Sequence, residues 1–144
     1  MSPLLGLDYG LRRIGVAVSD PTDTIATALH THDEADGSFF TYLSQVIRER
    51  GVDGVVLGLP LRTSGDEGDL ASRVRDFAHK ITERTGLPVY LEDERYTSQE
   101  AARHLRLGGK KRRPKSDVDA VAAAIILQQF LDRRSGNGNR ECDQ

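Results

Sequence analysis

Tryptophan is absent from this 144-residue chain, cysteine occurs once, and aromatic residues make up only 6%. A lone cysteine, Cys142, cannot close an intramolecular disulfide, so a disulfide-stapled secreted scaffold is excluded and a reducing compartment fits. No apolar stretch approaches the ~20 residues that a membrane-spanning helix needs. No basic segment followed by a long apolar run is present at the N-terminus, so no signal peptide is visible and a soluble, cytoplasmic protein with no membrane partner is expected. The net charge of −2 gives no overall positive excess to mark a nucleic-acid binder. The loop "GLPLRTSGDEG" (58–68) is glycine-rich but lacks the GK[ST] ending of a phosphate-binding P-loop. His30, His32, His79 and His104 show no metal-site spacing with cysteine and read as structural or surface groups. No serine or cysteine nucleophile constellation is evident.

What is present suffices for one core. Hydrophobic residues make up 38% of the chain, consistent with a single domain over 1–134. The segment 135–144 is Gly/Asn-rich and reads as a disordered polar tail. Leu4 to Tyr9 reads as a short buried strand, Gly10 to Arg13 as a turn, and Ile14 to Ser19 as a second strand, antiparallel to the first by hairpin logic. Ile25 to Thr31 is a weaker third strand. Phe39, Leu43, Val46 and Ile47 fall at helical spacing, with Gly51 placed as a C-cap. Val52 to Gly58 is a continuous apolar run, typical of a strand covered on both faces. Leu70, Val74, Phe77 and Ile81 mark a second helix closed by Gly86, and Val89 to Leu91 begins a fifth strand. Thr97 and Glu100, and again Ser116 and Asp119, have capping-box spacing, which predicts two more helices. The second of these, "VDAVAAAIILQQFL", is apolar nearly all round and hence mostly buried.

The order β-β-β-α-β-α-β-α-α is an antiparallel meander feeding βαβ crossovers. It predicts an α/β fold with a five-stranded mixed sheet, the first strand central, and helices on both faces. In such a sheet functional groups gather at the carboxyl ends of the parallel strands. Asp8 ends the first strand, Asp93 and Glu94 end the last, and Asp119 sits in the first turn of the terminal helix. Crowded carboxylates call for raised pKa values or a bound divalent cation, and oxygen-only ligands favour Mg²⁺ or Mn²⁺. Two such ions can clamp the attacking and leaving oxygens of a phosphodiester displacement. Each acid also has a plainer reading. Asp8 could make an Asx-turn, Asp93 and Glu94 a solvated strand end, and Asp119 a complement to the helix dipole.

From Arg95 to Lys115 eight Lys or Arg face one acid, Glu100. Such a run is most often a solvated loop. Directly before the helix bearing Asp119, however, Lys110, Lys111, Arg112, Arg113 and Lys115 form a candidate nucleic-acid phosphate-binding face, with Arg95 a further contact beside Glu94.

Taken together, "LGLDYGLRRIGVAVSD", "VVLGLP" with "GDEG", "EDERYTS" and "VDAVAAAIILQQFL" resemble the YqgF/RuvX family, relatives of the RuvC resolvase. The match runs from about Leu4 to Leu131. The resemblance implies an RNase H-like fold and a divalent-metal nuclease whose acidic positions match Asp8, Glu94 and Asp119, with Asp93 as the alternative to Glu94. It implies 5′-end maturation of pre-16S rRNA, or resolution of Holliday junctions, and thus precursor rRNA or branched DNA as partner. A homodimer is left open. Arg62 stands where the family pattern commonly has Asn after "GLPL", and the "GGKKRRPK" loop is more basic than that pattern. Two other classes compete. "GLDYG" also resembles the phosphate-binding hairpin of actin-like kinases, which need two such domains where this chain has length for one. A non-catalytic nucleic-acid-binding module would keep the fold with a silent acidic site.

Overall fold

Six residues, Leu4–Tyr9, form the strand β1 around which the sheet is arranged. The computed structural model describes residues 3–10, 12–33, 37–60, 68–93 and 115–136, together with their side chains except at 115–118 and 135–136. β1 pairs antiparallel with β2 (Arg13–Ser19), which pairs antiparallel with β3 (Ala26–Asp33). On its other side β1 pairs in parallel with β4 (Gly54–Leu59), and β4 in parallel with β5 (Val89–Asp93). The strand order is β3-β2-β1-β4-β5, so β1 is central and the sheet is mixed, as the element order predicts.

The side-chain alternation of strands sorts this sheet into two unlike faces. Leu5, Leu7, Ile14, Val16, Val55 and Leu57 are fully buried on one face, under α1 (Phe39–Arg50) and α2 (Asp69–Thr85). Phe39, Leu43 and Val46 of α1, and Ala71, Val74, Phe77 and Ile81 of α2, recur at helical spacing and supply the cover. Each fully buried Leu or Phe in this layer stabilises the fold by about 1.5–3 kcal/mol. The other face is lined by smaller groups, among them Leu4, Ala17, Ala26 and Val56. The helix α3 (Lys115–Gly136) packs on it through Ala123, Ala124, Ile126, Leu127 and Leu131. Small residues on both partners let this helix approach the strands closely.

The element boundaries shift slightly from the sequence pattern. β3 runs on to Asp33 because His32 and Asp33 still find partners in Ile14 and Arg13. α1 and α2 end at the expected glycines, Gly51 and Gly86, each with a left-handed backbone. α3 begins at Lys115, so Ser116 lies inside the helix instead of capping it. It also continues through Gly136, so the first two residues of the expected polar tail are helical. The helix expected from Thr97 and the remainder of the tail lie outside the described residues. None of the described helices is long and apolar enough to cross a membrane.

Candidate active site

Alternation along β1 puts Leu4, Gly6 and Asp8 on the α3 face, and Leu5, Leu7 and Tyr9 on the opposite one. In the antiparallel pairing Asp8 stands opposite Gly15 of β2. Directly opposed residues project to the same side, so Asp8 and the Cα hydrogen of Gly15 share the α3 face. α3 is seated at that point. A Cβ on Gly15 would lie 1.8 Å from the Asp119 carbonyl oxygen, 2.3 Å from its carbonyl carbon and 2.9 Å from the Ala120 nitrogen. Any side chain at position 15 would occupy the space of the helix backbone. One turn further on, Gly6 admits the helix in the same way, since a Cβ there would meet Leu127 Cβ at 2.6 Å and the Ala123 carbonyl oxygen at 3.0 Å. Two glycines on adjacent strands therefore bring the N-terminal part of α3 down onto the strand pair that carries Asp8, with Asp119 in its second turn rather than the expected first because the helix already begins at Lys115.

Arg13 completes this corner. It stands two residues before Gly15 on β2 and so on the same face, and its Nε donates to Asp119 Oδ2 at 3.1 Å. Both side chains are partly open to solvent, at 38% and 30% of full exposure. The sequence places Arg13 in a turn and gives it no role. Its signal was the two-residue alternation from Gly15.

The carboxyl end of β5 carries a second carboxylate that the sequence reading passed over. Glu92 is buried, 2% exposed, on the α3 face. Its Oε2 accepts from Gln129 Nε2 at 2.6 Å, and its Oε1 accepts from Arg133 Nη2. Gln129 Nε2 also reaches the Asp93 carbonyl oxygen at 3.3 Å. The far half of α3 is thereby tied to the end of β5. The alternation Val89–Leu91 against Tyr90–Glu92 carried this information. By the same alternation Asp93, in register with Leu59, lies on the opposite face of the sheet.

The structure thus brings together two of the expected acids, Asp8 and Asp119. Glu94, Arg95, Lys110, Lys111, Arg112 and Arg113 lie outside the described residues, and Lys115 enters only as the first residue of α3. Among the described residues no group of three His, Cys, Asp or Glu side chains is gathered as a metal site. The oxygen donors of Asp8 and Asp119 suit a hard divalent ion, with a third ligand needed from elsewhere.

Among the described residues the histidines are packed within the fold or exposed, and His104 lies outside them. On β3, His30 and His32 face α1, where His32 Nε2 lies 2.9 Å from Ser38 Oγ and the His30 ring sits 4.5 Å from that of Tyr42. Burial, and secondarily the charge of His32, push the His30 pKa down. His79 is exposed on α2.

Residues 2–133 match the family model RuvX, described as Holliday junction resolvase. A relative in Chloroflexus aurantiacus, named as a candidate pre-16S rRNA nuclease, is 43% identical over 139 residues, covering 95% of this chain and 91% of the relative. A relative in Anaplasma marginale bears the same name at 39% identity, covering 94% and 87%. Among solved structures, Thermus thermophilus RuvC in complex with a Holliday junction substrate superposes with a TM-score of 0.63 at 21% identity, covering 94% of this chain and 97% of that one. The yeast mitochondrial Holliday junction resolvase Ydc2 gives a TM-score of 0.57 at 11% identity, covering 93% and 79%. These structures share the RNase H-like fold of this chain.

Proposed function

Because the chain belongs to the RuvX family, we propose that it is a nuclease that hydrolyses phosphodiester bonds of structured nucleic acid, with precursor 16S rRNA as its substrate and 5′-end processing as its task. The observation that carries the site is the seating of the Asp119 backbone on Gly15, the cross-strand partner of Asp8. A packing contact of this kind supports the reading, since it seats the Asp119 backbone on the strand neighbour of Asp8.

In this reading Asp8, Asp119 and Glu94 hold Mg²⁺ or Mn²⁺. Asp93 is set aside as ligand because its strand position turns it to the opposite face. A bound ion supplies Lewis-acid polarisation of the phosphoryl oxygen and a water of lowered pKa. The chain's own residues do the rest. Asp8 is held by the centre of the sheet and Asp119 by the helix, so their separation is fixed by packing. Glu92, locked by Gln129 and Arg133, anchors the end of β5. Lys110, Lys111, Arg112, Arg113 and Lys115, with Arg95, contact backbone phosphates and set binding strength without joining in bond cleavage.

The family description favours a second reading, resolution of four-way DNA junctions. One experiment addresses both. Purified protein is incubated with precursor 16S rRNA and with junction DNA, each with Mg²⁺ or Mn²⁺, beside the Asp8→Asn variant. Metal-dependent cleavage of the precursor, lost in the variant, supports the proposal. Cleavage of the junction alone moves the substrate to DNA. Failure to cleave either substrate, with the fold intact, removes the nuclease reading.

A further inference from the structure

Arg13 stands amid acids. Asp119 accepts its Nε at 3.1 Å. Asp33 of β3 is its cross-strand partner. Asp8 lies diagonally across the β1–β2 pair, since Asp8 opposes Gly15 and Arg13 is two residues from Gly15 on the same face. Diagonal neighbours in such a pair are roughly 7–8 Å apart, within reach of a long side chain. A cation placed there offsets the repulsion of the carboxylates. It also occupies one oxygen, Asp119 Oδ2, that a divalent ion would need.

From this geometry we infer that Arg13 is a substrate-binding residue held on Asp119 until metal takes that carboxylate, when its guanidinium is released to the phosphate of the bound nucleic acid. The inference rests on Asp8 and Asp119 being metal ligands. The guanidinium and the ion compete for the same oxygen, so each weakens the other's hold on Asp119, and by linkage the effect is reciprocal. The released side chain starts from the first position of β2, at the rim where Asp8 and Asp119 stand. Its planar fork matches two phosphate oxygens. The partial exposure of both partners fits a pair built to be exchanged, since an ion pair this open to solvent is weak. Substrate binding and metal loading would then be coupled through one side chain, with unproductive binding of nucleic acid by the metal-free protein disfavoured.

The test uses Arg13→Gln and Arg13→Lys in the whole chain. Mn²⁺ affinity is measured by calorimetry without nucleic acid, and cleavage kinetics are measured at saturating metal. Removing the competing cation in Arg13→Gln should tighten Mn²⁺ binding by about 1.5- to 5-fold, the range expected for an exposed ion pair. The same variant should lose about 10- to 100-fold in kcat/KM, the cost of a charge-assisted contact to phosphate. Arg13→Lys keeps the charge and should recover part of the kinetic loss. A structural tether would behave differently, because its loss would lower stability and leave kcat/KM unchanged at saturating metal. Mn²⁺ binding no tighter than in the wild type, or unchanged kcat/KM with normal folding, overturns the inference. Asp119→Asn separates this failure from failure of the site itself. If Asp119→Asn binds Mn²⁺ as well as the wild type does, the metal-ligand reading fails and this inference with it. If Asp119→Asn loses the metal while Arg13→Gln gains no affinity, only the role of Arg13 is lost.

Discussion

Gly15→Ala is the smallest change that tests how the candidate site is assembled. A methyl at position 15 would lie 1.8 Å from the Asp119 carbonyl oxygen, whereas ordinary contact begins near 3.4 Å. The helix start must therefore lift by about 1.6 Å, or β2 must bend by as much. Neither side can yield by rotating a side chain, because the obstruction is backbone. Overpacking a core costs about 1–3 kcal/mol, and a backbone obstruction belongs at the upper end of that range, near 3 kcal/mol. Gly6→Ala is the internal control. Its nearest neighbours are Leu127 Cβ at 2.6 Å and the Ala123 carbonyl oxygen at 3.0 Å, an overlap smaller than at Gly15, so it should cost about 1–2 kcal/mol. Urea unfolding with and without Mn²⁺ reads both effects. The midpoint should fall with little change of slope, because the surface exposed on unfolding is nearly the same. The stabilisation gained from Mn²⁺ should shrink in Gly15→Ala more than in Gly6→Ala, since only the former pushes Asp119 away from Asp8. If Gly15→Ala unfolds within about 0.5 kcal/mol of the wild type and keeps its full response to metal, α3 is not seated on Gly15 and the account of the site is wrong.

Three further outcomes are expected. Glu92→Ala should cost about 2–4 kcal/mol, because it strands the Gln129 amide and removes two hydrogen bonds to a buried carboxylate. Arg133→Gln should cost only about 1 kcal/mol, since the Arg133 side chain is 55% exposed, and equal losses in chemical denaturation would contradict this ranking. His30 has a pKa held below its ordinary value of 6.5 by burial and by His32, so the folded state binds its proton less readily than the unfolded state. That contribution to stability is complete above about pH 6.5 and is lost as the pH falls below it. His30→Phe should therefore flatten the decline in melting temperature between about pH 7.5 and pH 5, and an unaltered decline would rule His30 out as its source. Neutralising two of Lys110, Lys111, Arg112, Arg113 and Lys115 should lower the salt dependence of nucleic-acid binding by roughly one to two units of log–log slope, measured by filter binding at several salt concentrations. An unchanged slope means a merely solvated loop.

The sheet was legible because its strands obey strong local rules. The apolar run ending in Asp8, the turn at Gly10 and the alternation from Ile14 leave little freedom in the first hairpin. The crossovers then force β4 and β5 to the other side of β1. Asp8 was legible for a related reason, as an acid where a strand interior disfavours one. Arg13 and Glu92 were not singled out, because their meaning depends on which face of the sheet α3 covers. That in turn depends on Gly6 and Gly15, whose part is to be small. A glycine in a strand signals that something comes close without saying what. The choice between Asp93 and Glu94 turns on the same question of face, and Glu94 lies outside the described residues.

The pairing of Arg13 with Asp119 joins residues 106 positions apart in the chain. During synthesis from the N-terminus, at about 5–20 residues per second, roughly 5–20 seconds separate the emergence of these two residues. Throughout that interval β1 and β2 lack their α3 cover, and Leu4, Ala17, Ala26 and Val56 have no helix against them. The acid of the first strand is likewise without its partner from the helix. A nascent or truncated chain ending before α3 is therefore both aggregation-prone and devoid of the proposed catalytic centre. On the proposed reading of the site, hydrolysis begins only with the completed fold.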